Sequence, residues 1–232
     1  MKKVGILIFA ATLVAGLIIA NLVSFGRMGA SFFKFDINFS GVKGSGHTAT
    51  DVRPLTDFTS VEAGGIFQVE IVAQKDYSVQ VEADDNLLPL IKTEVDDGVL
   101  RIDSDGHFKT SSPIRIRISA PNIEMIDASG VSNITLSGVK NTELTVKGSG
   151  ASKITVAGES TKLVVDVSGA TRVNADDLTA ETAEIDASGA SSVSVNVTNE
   201  IRSDLTGASK VFYSGSPKLD TNKSGASSVS KK

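Results

Sequence analysis

Asp186-Ala187-Ser188-Gly189-Ala190-Ser191-Ser192-Val193-Ser194-Val195 decides the fold, because near copies of it recur through the second half of the chain. Its core returns as Ser129-Gly130-Val131-Ser132, Ser149-Gly150-Ala151-Ser152, Ser168-Gly169-Ala170-Thr171, Thr206-Gly207-Ala208-Ser209 and Ser224-Gly225-Ala226-Ser227. Consecutive glycines stand 20, 19, 20, 18 and 18 residues apart, which is the period of a stacked solenoid and not of a globular domain. Four residues after each glycine come Ile134, Ile154, Val173, Val193, Val211 and Val229, all β-branched. Two further on come Leu136, Val156, Ala175, Val195 and Tyr213, and six before the glycine come Leu144, Leu163, Ala183, Ile201 and Leu219. Period-2 spacing within a coil, with like residues matched between coils, is what parallel stacking requires: each coil closes its hydrogen bonds only on its neighbours. The pattern predicts a parallel β-helix with a dry aliphatic column inside.

Gly130, Gly150, Gly169, Gly189, Gly207 and Gly225 are read as structural turn residues, supplying a backbone conformation that a Cβ would hinder. The hydroxyls on either side of the corner are expected to bond nearby backbone groups. A serine nucleophile would need a base, and His47 and His107 both lie outside the repeats. Three residues before the glycines come Asp127, Lys147, Asp166, Asp186, Asp204 and Asn222. With rungs about 4.8 Å apart, Asp166, Asp186 and Asp204 are expected to form an acidic column, with Arg172 and Lys210 as offsetting partners. The plain reading of this column is a solvated face with ion pairs contributing at most about 1 kcal/mol each. The sharper reading is a strip that binds a divalent cation or a glycan.

Met1-Lys2-Lys3 precedes Val4 to Val23, a run of 20 uncharged residues. A bilayer span needs about 20 apolar residues, whereas the core of a cleaved secretory signal is about 7–15, so residues 1–24 read as an uncleaved transmembrane anchor. Lys2 and Lys3 then stay cytoplasmic, and residues 25–232 face the periplasm or the cell surface. Five of the 10 Phe fall between Phe25 and Phe39, as a strand or as an aromatic collar at the lipid interface. Gly41 to Thr48 reads as a flexible or turn segment. The net charge of −4, with 23 basic residues scattered among 27 acidic ones, excludes a nucleic-acid footprint. The absence of Cys excludes disulfides, thiol catalysis and iron–sulfur clusters. No cofactor, catalytic residue or metal centre is indicated.

Between Val52 and Ala120 the alternating runs Phe67-Val69-Ile71, Val79-Val81, Val99-Leu100-Ile102 and Ile114-Ile116-Ile118 predict strands that cover the first coil. Asn86 to Ile91 is the one helical turn expected, capped by Asp84, Asp85 or Asn86, with Pro89 tolerated in its first turn. Ser111-Ser112-Pro113 is expected to be the outermost loop of this segment.

From about Gly44 onward the chain resembles the GIN domain family, the head domain of auto-transporter adhesins. The resemblance is carried by Gly44-Ser45-Gly46, the Arg53 to Phe58 entry, Ile66-Phe67-Gln68-Val69-Glu70-Ile71, Val81-Glu82-Ala83-Asp84-Asp85-Asn86-Leu87-Leu88 and the Ser-Gly-Ala-Ser repeats. It implies a right-handed β-helix with an all-β N-terminal part, exported and attached to the envelope. It carries over no catalytic residues. The division expected is an anchor at 1–24, a juxtamembrane linker or first strand at 25–50, an N-terminal β part at 51–122 and the repeat β-helix at 123–232.

The leading functional expectation is a non-enzymatic, envelope-anchored binding or adhesion module presenting a polar face to a glycan or an envelope-surface protein. A periplasmic scaffold or sensing head is the alternative. A polysaccharide-processing enzyme is the third, because such enzymes use β-helices. Beyond Gly225 no capping segment is evident before Lys231-Lys232, so the last coil is a candidate surface for homo-oligomerisation, defended by charge.

Overall fold

The computed structural model describes residues 41–110 and 112–232; the apolar run 4–23 and the Phe-rich stretch 25–39 lie outside them. Among the described residues no helix is long and apolar enough to cross a membrane. In chain order the strands are β1 (Val42–Lys43), β2 (Thr48–Arg53), β3 (Ser60–Gly65), β4 (Phe67–Ala73) and β5 (Ser78–Asp84). After a 3-10 turn at Leu88–Leu90 come β6 (Ile91–Asp96), β7 (Val99–Ser104), β8 (Phe108–Lys109) and β9 (Ile114–Ala120). The repeats supply β10 (Met125–Gly130), β11 (Asn133–Gly148), β12 (Lys153–Val167), β13 (Arg172–Ala187), β14 (Ser192–Leu205), β15 (Lys210–Ser214), β16 (Lys218–Lys223) and β17 (Ser228–Lys231). The described residues form an all-β solenoid.

The columns read from the repeats are the registers of the sheet. Ile134, Ile154, Val173, Val193, Val211 and Val229 pair one after another in parallel, and so do Leu144, Leu163, Ala183, Ile201 and Leu219. Buried and outward residues alternate along both arms of each coil, as period-2 geometry demands. Each fully buried aliphatic side chain contributes about 1.5–3 kcal/mol of transfer free energy. At the last coil the column opens to solvent, with Leu219 41% exposed.

Each coil turns twice. The first corner is the Ser-Gly-Ala-Ser segment, where all six repeat glycines adopt φ between 70° and 77°. A Cβ at Gly150, Gly169, Gly189, Gly207 or Gly225 would lie 2.5 Å from the carbonyl oxygen of the glycine one coil earlier. The backbone ladder also runs through this corner: the amide after each glycine donates to the glycine carbonyl of the preceding coil, at 2.7–2.8 Å from Val131 to Ala226. The second corner lies between the two arms, where the registers slip. Leu136 and Leu144, Val156 and Leu163, Ala175 and Ala183, Val195 and Ile201, and Tyr213 and Leu219 are separated by 8, 7, 8, 6 and 6 positions. Both stretches flanking the first corner stay constant, so the whole variation in repeat length falls at the second.

Parallel stacking does not begin at residue 123. Strand β3 pairs in parallel with β10, and β4 with β11, which makes residues 60–73 a full coil. Its corner is Gly64-Gly65-Ile66, with Gly65 opposite Gly130. Beyond it, β7 pairs in parallel with β3 and β9 with β4. Antiparallel strands end the stack, β6 on β7 and β5 on β9, with β2 outermost on β5.

Two local expectations are corrected. The turn at Leu88–Leu90 is a 3-10 turn whose preceding residue is Leu87, and no side chain caps it. Asp85 and Asn86 are occupied elsewhere: Ser45 Oγ donates to Asp85 (2.5 Å), the Ser45 amide donates to Asn86 Oδ1 (2.9 Å), and Asn86 Nδ2 donates to the Lys43 carbonyl (2.8 Å). For the same reason Gly41–Thr48 is no loose turn. It holds β1, paired in parallel with β8, and is fastened to the 84–86 turn.

Candidate binding face

The hydroxyls of the first corner divide by position. Those after the glycine point inward: Ser132, Ser152, Thr171, Ser191 and Ser209 are buried. Each donates to the carbonyl three residues back, at 2.8–3.1 Å, and Ser227 repeats the bond to Ser224. They hold the corner closed and have no basic partner, so none is set up as a nucleophile. The glycine and the small residue after it form the exposed ridge of each corner.

On the second arm, one rung before the corner, the structure brings the predicted column together. Arg101, Glu62, Asp127, Lys147, Asp166, Asp186, Asp204 and Asn222 stand in consecutive register. The upper end is compensated, since Arg101 bonds Glu62 at 3.1 Å and Asp96 at 2.8 Å, and Lys147 interrupts the acids below. The lower end is not: Asp166, Asp186 and Asp204 follow one another with no ion pair among the described residues. Partial burial, then the neighbouring Asp166 and Asp204 and also Glu184, raise the Asp186 carboxyl above the usual carboxylate range. Burial also raises Asp127, with Glu62 and Asp166 adding to it and Lys147 opposing.

Arg172 and Lys210 do not offset this strip. They lie on the first arm, past the corner, in the register Lys153, Arg172, Ser192, Lys210. Two cations of the second arm are taken by glutamates: Lys162 bonds Glu184 at 2.9 Å and Glu143 at 3.8 Å, while Lys218 reaches Glu200 at 3.7 Å. Beside the strip runs a groove of about 280 Å³ edged by Glu184, Asp186, Arg202, Asp204, Asp220 and Asn222. Among the described residues no three His, Cys, Asp or Glu are grouped to hold a metal ion.

The family described as "Putative auto-transporter adhesin, head GIN domain" matches residues 57–217. The chain belongs to that family. The match begins at the approach to the coil 60–73 and ends at the second corner of the coil that carries Gly207. A crystal structure of a putative adhesin from Bacteroides fragilis shares this GIN fold with a TM-score of 0.68 at 19% identity, over 82% of this chain and 100% of that one. A putative adhesin and a putative lipid binding protein, both from Parabacteroides distasonis, each align with a TM-score of 0.50 at 18% identity over 82% of this chain and 99% and 98% of theirs. A comparison with curated protein sequences gives no match. At these identities the likeness is one of fold.

Two features of this GIN domain escape a reading of the repeats. The second corner has no residue common to every coil: Gly138, Gly158 and Gly215 have positive φ there, each two positions after Leu136, Val156 or Tyr213, while the other two coils use Asp176-Asp177 or Thr198-Asn199. On the strands that end the stack, Glu82 accepts from Arg115 at 2.9 Å and from Arg117 at 3.0 Å, a compensated site on sheet neighbours far apart in sequence.

Proposed function

We propose that the chain is a non-enzymatic binding module of the adhesin type, anchored in the envelope through residues 4–23 and presenting the outward faces of the solenoid. The observation that carries this reading is the regular recurrence of polar outward columns on a stack whose first-corner hydroxyls and glycines are used structurally. A rigid array of equivalent polar positions lets many weak contacts add along one ligand. Family membership and the similar adhesin structures support the same reading and an extracytoplasmic location. The solenoid winds right-handed, the hand that connections between parallel strands overwhelmingly take. Asp166, Asp186 and Asp204 contribute negative charge and hydrogen-bond acceptors to the face, suited to a glycan or to a basic surface segment of an envelope protein. The exposed last coil, Lys218 to Lys231, serves as the contact between copies, and a dilution series in light scattering that gives one monomeric mass throughout removes that contact.

The reading is tested by placing an epitope after Lys232 and comparing its protease sensitivity on intact and permeabilised cells. Cleavage on intact cells is expected. Protection until permeabilisation overturns adhesion and favours a periplasmic scaffold or sensing head.

A further inference from the structure

Where β4 turns into β5, at the second-corner end of the coil 60–73, Gln74, Lys75, Asp76, Tyr77 and Ser78 line a shallow, open cavity of about 700 Å³ whose far wall includes Ser119. We propose that this cavity is a saccharide-binding site. The proposal rests on the adhesin reading above and names a ligand class and a place for it.

The site is built and held. Gln74 adopts φ 63°, a left-handed conformation that a residue with a Cβ takes only when its surroundings impose it. Three bonds impose it by clasping the turn to the end of β9 and the residue after it: Gln74 Nε2 donates to the Pro121 carbonyl (3.2 Å), the Lys75 amide to the Ala120 carbonyl (3.1 Å), and Ser119 Oγ to the Asp76 carbonyl (2.5 Å). The half-buried Tyr77 ring packs against the fully buried Phe58 with centroids 5.0 Å apart and planes tilted by 56°. An aromatic ring is thus fixed at the surface with little conformational freedom left to lose on binding.

The lining selects by exclusion. One carboxylate and one ammonium, Asp76 and Lys75, leave the site without net charge, so neither an anion nor a cation is singled out. A single aromatic ring among amide, carboxylate, ammonium and hydroxyl groups is too polar a wall for a lipid tail. What matches is a molecule with one C–H face to lie on a ring and a rim of hydroxyls that both donate and accept, which describes a neutral pyranose. The shallow, open form lets the sugar continue into a chain on its solvent side.

The test uses the full chain in micelles of a phosphocholine detergent, which carries no sugar headgroup. Amide shifts are followed while methyl glycosides of glucose, galactose, mannose and N-acetylglucosamine are added. At least one glycoside is expected to move the amides of residues 74–78 and 119 with Kd on the order of 1 mM. Asp76→Ala should weaken it at least about tenfold with an unchanged melting temperature, while Tyr77→Phe keeps the ring and most of the affinity. Wild-type amides at 74–78 that stay still under all four glycosides overturn the proposal, as do shifts confined to the Asp166–Asp204 strip. Cell-surface binding retained by Asp76→Ala alongside silent amides removes the pocket and leaves the adhesion reading standing. Protection of the Lys232 epitope on intact cells removes adhesion without touching the amide shifts.

Discussion

The corner built around Gly130, Gly150, Gly169, Gly189, Gly207 and Gly225 and the corner on the other side of the same coils do one geometrical job with different chemistry. At the first, φ, a carbonyl of the preceding coil at contact distance and an amide-to-carbonyl ladder all act on the same atom position, so every coil needs the same residue there. At the second, three coils place a glycine whose Cβ would also meet the preceding coil, 2.3 Å from the Val139 carbonyl oxygen at Gly158 and 2.1 Å from that of Val197 at Gly215, but Asp-Asp and Thr-Asn serve in the other two, and separations from 6 to 8 positions are accommodated. The difference teaches that one residue is demanded in every coil where the corner keeps a constant length, and that the demand relaxes where corner length varies from coil to coil.

The sharpest way to break this comparison is Gly169→Ala. Its Cβ meets the Gly150 carbonyl in a left-handed backbone, and a loss of about 3–5 kcal/mol is expected by urea denaturation. Gly46→Ala, also at positive φ but with nothing within 4 Å, should cost only about 1–2 kcal/mol, which separates the backbone penalty from the inter-coil contact. Next in size is Ser191→Ala, which removes the buried donor to the Ser188 carbonyl and should cost about 1 kcal/mol. One glycine inserted between the exposed Thr198 and Asn199 of the second corner should cost no more than about 0.6 kcal/mol. A cost there equal to that of Gly169→Ala would erase the distinction between the corners.

The smallest effect extends the contrast from corners to charges. The Asp186 carboxyl is raised by burial and by Asp166 and Asp204, so the folded chain binds its proton at a pH where the unfolded chain does not. Stability therefore rises as pH falls from above the raised value toward the ordinary carboxylate value, and Asp186→Asn should flatten that rise. Glu82 behaves oppositely. Its hydrogen bonds from Arg117 and Arg115 lower its carboxyl, so its contribution is present above the ordinary value and is lost as pH falls through the lowered one. Glu82→Gln should remove that acid-side loss. The two slopes, read from melting temperature against pH, should have opposite signs.

Much of this architecture is legible in the primary structure because stacked coils write their core as columns. The β-branched series from Ile134 to Val229 and the aliphatic series from Leu144 to Leu219 give register, direction and corner position without coordinates. The coil 60–73 is harder to see, since its corner reads Gly64-Gly65-Ile66 and lacks the hydroxyls that mark the others. Ile66 is 70% exposed at this corner and Val131 60% at the next, both in the outward phase of the alternation that buries Phe67, Val69 and Ile71 and then Ser132, Ile134 and Leu136. Arg172 and Lys210 were expected beside the acidic strip because they lie six residues from Asp166 and Asp204; the corner between them sends the two sets onto different arms. The Gln74–Tyr77 cavity had no signal at all, because its walls come from turns more than 40 residues apart that are joined by side chain to carbonyl bonds.

Sequence order and spatial order disagree at one place: the coil 60–73 is made first but lies between the strands 99–104 and 114–120 on one side and the coil starting at Met125 on the other. Residues 48–120 thus hold the blunt end of the stack, and they precede every repeat in the chain. Those residues leave one edge open in each arm of the coil 60–73, and each later coil pairs with the coil just before it. The folded stack is thus built like a filament on a capped end, with the register of every rung matched to its predecessor.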